Sequence, residues 1–437
     1  MRKVITYGTY DFLHYGHIRL LERAKALGDY LIVGVTADDF DKVRGKINVQ
    51  QTLVERIEAV KATGLADKII VEEYEGQKID DIKRYGVDVF TVGSDWVGKF
   101  DYLKEYCEVV YLERTEGISS SEIRAQKRAL SMGIVGDDAI SMNKFQKEDI
   151  YVNGIEIIGI CTNNIEKMSD KIKNLSIITD DYKTLLDKVD SVYIYSKPEE
   201  HYEQIKMALN QGKHVLCESP ITMNKKQCKE LFDLAEEKGC ILMEAIRTAY
   251  ATAYSRLLLL IKSGRIGNVV SVDATCTSLR NNEVTTSLVN WGPLALLPIY
   301  QILGCNYKSK RYITHFKSEG NDDFTKIDFL YPNATASIKV AEGVKAEGEL
   351  VIAGTKGYIY VPAPWWKTDY FEVRYENQTL NRRYFYQLDG EGIRYELVAF
   401  VRSITEGKNA KYIDDKVTLA ICKTMEDFEN HVNLSEI

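Results

Sequence analysis

Short apolar runs alternate with helical stretches between residues 130 and 217, and this alternation constrains the fold more than any other property of the chain. Residues 130–135 read as a strand; 156–161, 173–179, 191–195 and 214–217 repeat the pattern, with helices expected over 181–189 and 201–211. Strands separated by helices at this spacing form a parallel, doubly wound sheet. A second strand-to-helix junction opens the chain: Val4-Ile5-Thr6-Tyr7 reads as a buried strand, Gly8 permits a tight turn, and residues 18–24 continue with helical spacing. From Val269 onward β-rich segments dominate, ending in helices expected over 394–405 and about 414–431. At 437 residues the chain exceeds one ordinary core. The fold expected is α/β, with domains over 1–129, 130–248 and 249–437, the last an α+β open-sheet domain.

Apolar residues make up 45% and charged residues 28%, which suits a large globular core. A net charge of −7 and a pI near 5.6 argue against a nucleic-acid surface. No apolar run reaches the length of a membrane span, and the sequence enters a strand at once, so neither membrane insertion nor a signal peptide is expected. The eight cysteines are scattered without a C-x-x-C pair, which fits reduced thiols in the cytoplasm.

Two segments carry chemistry. His14-Tyr15-Gly16-His17 sits where the first strand turns into the first helix. Positions i and i+3 share a helix face, so both imidazoles can point at one phosphate over the helix N-terminus. Further on, Arg114-Thr115-Glu116-Gly117-Ile118-Ser119-Ser120-Ser121-Glu122 follows a strand-like run and opens a helix expected to end near residue 130. Hydroxyls, free amides and an arginine together favour an anion. Ser119 and Glu122 would equally serve as a capping box.

On these residues, with residues 20–25 and 27–31 and the run Trp96-Val97-Gly98-Lys99-Phe100-Asp101, the first 128 or so positions resemble the glycerol-3-phosphate cytidylyltransferases of the HxGH nucleotidylyltransferase superfamily. The resemblance implies a Rossmann-like domain in which an acceptor phosphate attacks the α-phosphorus of CTP and pyrophosphate leaves. Catalysis of that kind is mostly positioning and electrostatics. A cation about 4 Å from a phosphoryl oxygen supplies on the order of 4 kcal/mol at an effective dielectric of about 20, before desolvation.

By resemblance, His14, His17, Lys46 and Arg114 act on the reacting phosphates. Gly8, Thr9, Tyr10, Asp11, Gly16, Asp95, Thr115, Gly117, Ile118, Ser119 and Ser120 join Arg114 around the nucleotide. Asp38, Lys46, Arg56 and Tyr74 face the acceptor. Mg²⁺ is expected with CTP, held by phosphate oxygens and water rather than by a protein metal site. Departures from the family pattern cluster near the acceptor: Tyr74 stands in place of a tryptophan, Ser94 in place of an acidic residue, and the loop before Lys46 has fewer lysines. Glycerol 3-phosphate is the first expectation, with another short polyol phosphate or phosphoethanolamine as alternatives. The product would serve as an activated donor for a phosphodiester-linked cell-surface polymer such as teichoic acid.

Residues 130–437 resemble the glucose-fructose oxidoreductase/inositol dehydrogenase/MocA family of NAD(P)-dependent enzymes. The resemblance rests on Ser191-Val192-Tyr193-Ile194, His201, Gly212 through Pro220, Gly264 through Ser271, and Gly354-Thr355-Lys356-Gly357-Tyr358. Each position at which that family does chemistry is altered. Asp138 replaces the second glycine of the phosphate-binding turn, and Thr162 replaces the acidic residue that takes the ribose hydroxyls. Ser219 stands for the catalytic lysine, while Asn290 and Leu294 stand for the downstream Asp-x-x-x-His/Tyr pair. General acid–base groups are worth roughly 10²- to 10⁴-fold each.

Two readings therefore stay open: a non-catalytic scaffold that pairs copies of the chain through the family's open sheet, or a working NAD(P)-dependent reductase supplying the polyol phosphate. A pocket kept for a regulator is a third. Trp365 and Trp366 read as packing or a sugar site, His315 and His431 as structural or solvated, and Glu244 with Arg247 as substrate contacts or an ion pair.

Overall fold

In the computed structural model, which describes every residue except 44–48, 50, 75, 114–128, 280–285, 319, 387 and 407–411, the chain divides into two compact units, Met1–Ala129 and Leu130–Ile437. The first is built on five parallel strands: β1 (Lys3–Gly8), β2 (Tyr30–Thr36), β3 (Lys68–Glu72), β4 (Val89–Gly93) and β5 (Glu108–Leu112). Their order is β3-β2-β1-β4-β5, so the winding reverses between β1 and β4. At such a switch point the loops leaving the two strands diverge and open a crevice beyond the carboxyl ends of the sheet.

Alternate residues of these strands feed opposite faces, and both faces are covered. Val4, Leu31, Val33 and Val89 pack with Leu21 and Ala24 of the helix Tyr15–Lys25 and Val60 of the helix Leu53–Ala62. Ile5, Ile32 and Phe90 pack with Ile82 of the helix Gln77–Tyr85 and with Leu103. Burying each such side chain stabilises by about 1.5–3 kcal/mol.

The second unit begins with another parallel sheet: β6 (Leu130–Val135), β7 (Ile155–Cys161), β8 (Ile177–Thr179), β9 (Ser191–Ile194), β10 (His214–Glu218) and β11 (Leu242–Ala245). Its order, β11-β10-β9-β6-β7-β8, reverses between β6 and β9. The strand expected over 173–179 is shorter. Asp170–Lys173 instead forms a helical turn that buries Ile172 and leaves Lys171 and Lys173 in solvent, and only β8 pairs with β7.

A nine-stranded mixed sheet follows, formed by β12 (Val269–Ser278), β13 (Ser309–Ser318), β14 (Asn321–Leu330), β15 (Thr335–Glu342), β16 (Leu350–Gly354), β17 (Tyr358–Val361), β18 (Tyr370–Arg374), β19 (Arg382–Phe385) and β20 (Leu434–Glu436). Their order is β19-β18-β17-β16-β12-β15-β14-β13-β20. The apolar helix Ser287–Leu303 covers β12, β14 and β15. The return helices occupy Ile393–Glu406 and Asp415–Glu429. The second of these packs against Ser287–Leu303 and also against the helix Lys225–Glu237, placing Cys422 in the core of the six-stranded sheet beside Val192, Val215 and Cys228. All eight cysteines are free thiols. Among the described residues, no helix is long and apolar enough to cross a membrane.

Candidate active site

The loop that leaves β1 at the switch point is bent sharply. Tyr10 and Phe12 adopt φ of 56° and 47°, left-handed values that cost a non-glycine residue about 1–3 kcal/mol each and persist only where neighbours hold them. The Tyr10 ring is buried over Gly8, where an added Cβ would lie 2.9 Å from its Cζ, and its edge meets His17 at 5.5 Å between centroids. Phe12 donates its amide to Gln51 Oε1 (2.6 Å), and Gln51 donates its own to Asp11 Oδ1 (2.9 Å).

His14 caps the helix Tyr15–Lys25. Its Nδ1 accepts from the Gly16 amide at 3.1 Å, so in the neutral ring the proton sits on Nε2. His17, one turn on, stacks on His14 with centroids 3.9 Å apart and planes 24° from parallel. The two imidazoles thus form one half-buried slab at the helix N-terminus, where the positive end of the helix dipole also favours an anion. Gly16 serves the cap through its amide.

Arg56 fixes the surroundings of this slab. It was expected to face the acceptor; instead its side chain is fully buried and its guanidinium is committed to the protein. It donates to the carbonyls of Thr9 (2.7 Å), Thr36 (2.8 Å) and Gln51 (3.1 Å), and pairs with Asp38 and with Asp41 at 3.5 Å. Three loops are therefore tied to one planar cation, which suits arginine's fixed fork of donors. Thr9 closes the same network by donating to Asp41 (2.7 Å). Sequence reasoning missed Asp41 and Gln51. Thr52 and Glu55 form the capping box of its helix, Leu53–Ala62, which sets Arg56 in the first turn but does not mark its partners.

Of the other expected residues, Asp38 and Tyr74 are both partly open to solvent, Tyr74 donating to Asp80 at 2.8 Å. Asp95 is exposed on the turn Ser94–Trp96 that leaves β4, on the other side of the switch point from the histidines. Thr9, Tyr10 and Asp11 are buried, shaping the loop from within. Lys46, Arg114, Thr115, Gly117, Ile118, Ser119 and Ser120, and the helix expected after them, lie outside the described residues. Among the described residues no three His, Cys, Asp or Glu side chains are grouped to hold a metal ion.

In the second unit, the turn after β6 is occupied by carboxylates. Asp138 caps the helix Ala139–Glu148, accepting from the amides of Ile140 (3.4 Å) and Ser141 (3.1 Å). Asp137 accepts from Thr162 Oγ1 (2.8 Å) and the Asn163 amide (2.7 Å) at the end of β7. A dinucleotide pyrophosphate needs those helix-end amides and an approach free of negative charge, so the residues present do not fit it.

The cleft beyond β10 is likewise engaged. Ser219 donates to Glu244, which also accepts from Thr418 (2.6 Å), and burial pushes the Glu244 carboxyl above its ordinary range. Arg247 pairs with Glu218 at 3.1 Å rather than with Glu244, and Tyr193 donates to Glu218 as well. Asn290 and Trp291 both donate to Glu342 (3.0 and 3.2 Å), and Leu294 is half-buried. Trp365 is buried, Trp366 packs edge-on against Trp291 at 5.1 Å, and His315 bonds Asp323 at 2.7 Å.

Comparison with known proteins divides the chain at the same place. Residues 5–126 match the cytidylyltransferase-like family, and residues 130–246 match the oxidoreductase family with an NAD-binding Rossmann fold. The glycerol-3-phosphate cytidylyltransferase of Bacillus spizizenii is 49% identical over 130 residues, 30% of this chain and 100% of that protein. The trans-1,2-dihydrobenzene-1,2-diol dehydrogenase of Xenopus laevis is 25% identical over 269 residues, 55% of this chain and 78% of that protein. A 3-ketoreductase of Actinomadura kijaniata, solved with NADP and TDP-benzene, shares the fold of 71% of this chain and 99% of its own, with a TM-score of 0.62 at 16% identity.

Proposed function

Because the chain belongs, through its first unit, to the glycerol-3-phosphate cytidylyltransferase family, and carries an oxidoreductase-family domain in its second, we propose that it transfers CMP from CTP to glycerol 3-phosphate, giving CDP-glycerol and pyrophosphate, and that its second unit moves no hydride. The observation that carries this reading is the stacked His14–His17 slab at the helix N-terminus, with the ring proton of His14 directed to Nε2.

A phosphate oxygen of the acceptor forms a bond to the α-phosphorus, and the bond from that phosphorus to the bridging oxygen of the leaving pyrophosphate breaks. The attacking phosphate is already ionised, so no protein base takes a proton. His14 Nε2–H donates to a phosphate oxygen, His17 holds the first ring in place by stacking, and the helix dipole adds to both. Arg56 acts through Thr9, Asp38 and Gln51 as a positioning residue. Lys46 and the segment Arg114–Ser120 supply the remaining positive charge and amides around the triphosphate, with Asp95 on the nucleotide side and Asp38 and Tyr74 toward the acceptor. Mg²⁺ arriving with CTP would be held mainly by phosphate oxygens and water and would offset charge on the triphosphate.

The second unit, spanning the proposed domains 130–248 and 249–437, serves as a scaffold that brings copies of this chain together in the cytoplasm, and the product feeds a phosphodiester-linked surface polymer. Release of pyrophosphate from CTP across glycerol 3-phosphate, longer polyol phosphates and phosphoethanolamine tests the acceptor. Glycerol 3-phosphate should give the highest kcat/KM; preference for phosphoethanolamine would overturn that choice, and no release with any of them would overturn the transferase reading. Titration with NADH and NADPH tests the rest: saturable binding with turnover of dihydroxyacetone phosphate or a keto-sugar phosphate would make the second unit a reductase.

A further inference from the structure

The second unit carries a solvent-open cavity of about 510 Å³, lined by none of the residues around Ser219, Glu218 and Arg247. Its volume lies within the range of about 300–1,000 Å³ usual for small-molecule sites. Met223 and Val289 contribute apolar surface, and Phe316 and Phe428 form an aromatic wall with centroids 6.1 Å apart. His431 extends that wall, 6.2 Å from Phe316. Two carboxylates line the same space: Glu199, in the first turn of the helix Pro198–Asn210, and Glu429, the last residue of the helix Asp415–Glu429.

No lysine or arginine among the described residues lines this cavity. Among the described residues neither carboxylate forms a salt bridge, while Lys423 is paired with Glu426 and Asp427 and Lys310 with Asp427. Glu429 also stands at the negative end of its own helix, where a carboxylate is disfavoured. Partial desolvation at the cavity wall, followed by the charges of Glu199 and Glu426, holds its carboxyl above the ordinary range. Phenyl faces are themselves negative and attract a cation, most strongly one whose hydration is weak. A hydrated metal ion is a poor match, since two carboxylates on an aromatic floor offer too few oxygens.

We infer that this cavity binds a small organic ammonium ion, its charge held by Glu199 and Glu429 and its carbon body against Phe316 and Phe428. Calorimetric titration of the full chain tests this with choline, phenethylammonium and 3,3-dimethylbutanol, the uncharged isostere of choline. At least one of the two cations should bind saturably, and the alcohol about tenfold more weakly than choline or not at all. Glu429→Gln should weaken the cation by about fivefold to tenfold and Glu199→Gln by less, with thermal unfolding unchanged because both side chains are exposed. The inference is overturned if neither cation saturates at millimolar concentration, if the alcohol matches choline, or if a Glu199→Gln, Glu429→Gln double variant keeps the parent affinity.

Discussion

The two units contain the same local device with opposite charge. In each, the strand at the switch point of a parallel sheet, β1 or β6, runs into a helix whose first amides are capped by a side chain. In the first unit the cap is the imidazole of His14, whose Nδ1 satisfies one amide without bringing a negative charge and leaves the ring proton on Nε2. In the second it is the carboxylate of Asp138, which takes two amides and brings a negative charge to the place a phosphate would seek. Strand, turn and helix are thus insufficient to make a phosphate site. The identity of the capping atom decides whether the helix end remains attractive to an anion.

Substituting the caps and their supports should separate the two units. His14→Ala or His17→Ala should lower CTP turnover by about 10³-fold, far beyond the stability change, which for His14 is the worth of an N-cap, about 1 kcal/mol; ordinary turnover in either variant would remove the first unit from the chemistry. Arg56→Ala should destabilise that unit by about 3 kcal/mol in denaturant unfolding, because it strands Asp41 and three carbonyls that share one buried cation.

In the second unit, Asp138→Ala should cost only about 1 kcal/mol, the worth of an N-cap, and leave CTP turnover at the parent value. Glu396 supplies a test against pH. It is fully buried, and burial together with the charge of Glu218 holds its carboxyl well above the ordinary range. The folded state therefore keeps this group protonated where the unfolded state loses its proton, so its contribution is favourable at low pH and falls as pH rises. Glu396→Gln should raise the stability of the second unit by on the order of 1 kcal/mol more at pH 8 than at pH 5. Ser219→Ala should have the smallest effect of all, with CDP-product formation unchanged.

Most of the six-stranded sheet was legible in the sequence because β6, β7, β9 and β10 are short apolar runs bounded by helical spacing, whereas β11 and, in the first unit, β2, β3 and β4 were not read strand by strand; the His14–His17 face followed from an i, i+3 separation. The role of Arg56 was not legible. Nothing in the string Glu55-Arg56 distinguishes a solvent-facing arginine from one that gathers carbonyls of Thr9, Thr36 and Gln51, since those partners lie 47, 20 and 5 positions away. Asp138 was recognisable as an obstacle from its position in the turn, yet the sequence could not say that its carboxylate would occupy the amides itself. The Glu218–Arg247 pair was hidden for the same reason: the sequence placed Glu244 and Arg247 near one cleft, but which carboxylate met the guanidinium depended on the register of β10 beside β11.

The helix Asp415–Glu429 brings Cys422 into the core formed by β9 and β10. During synthesis the five strands of the first unit have all left the ribosome once Leu112 has emerged. The six-stranded sheet must wait far longer, since its last core residue arrives about two hundred positions after β10. For that interval the strands between β6 and β11 lack the cover of this helix, so chaperone demand and sensitivity to C-terminal truncation should fall on the second unit.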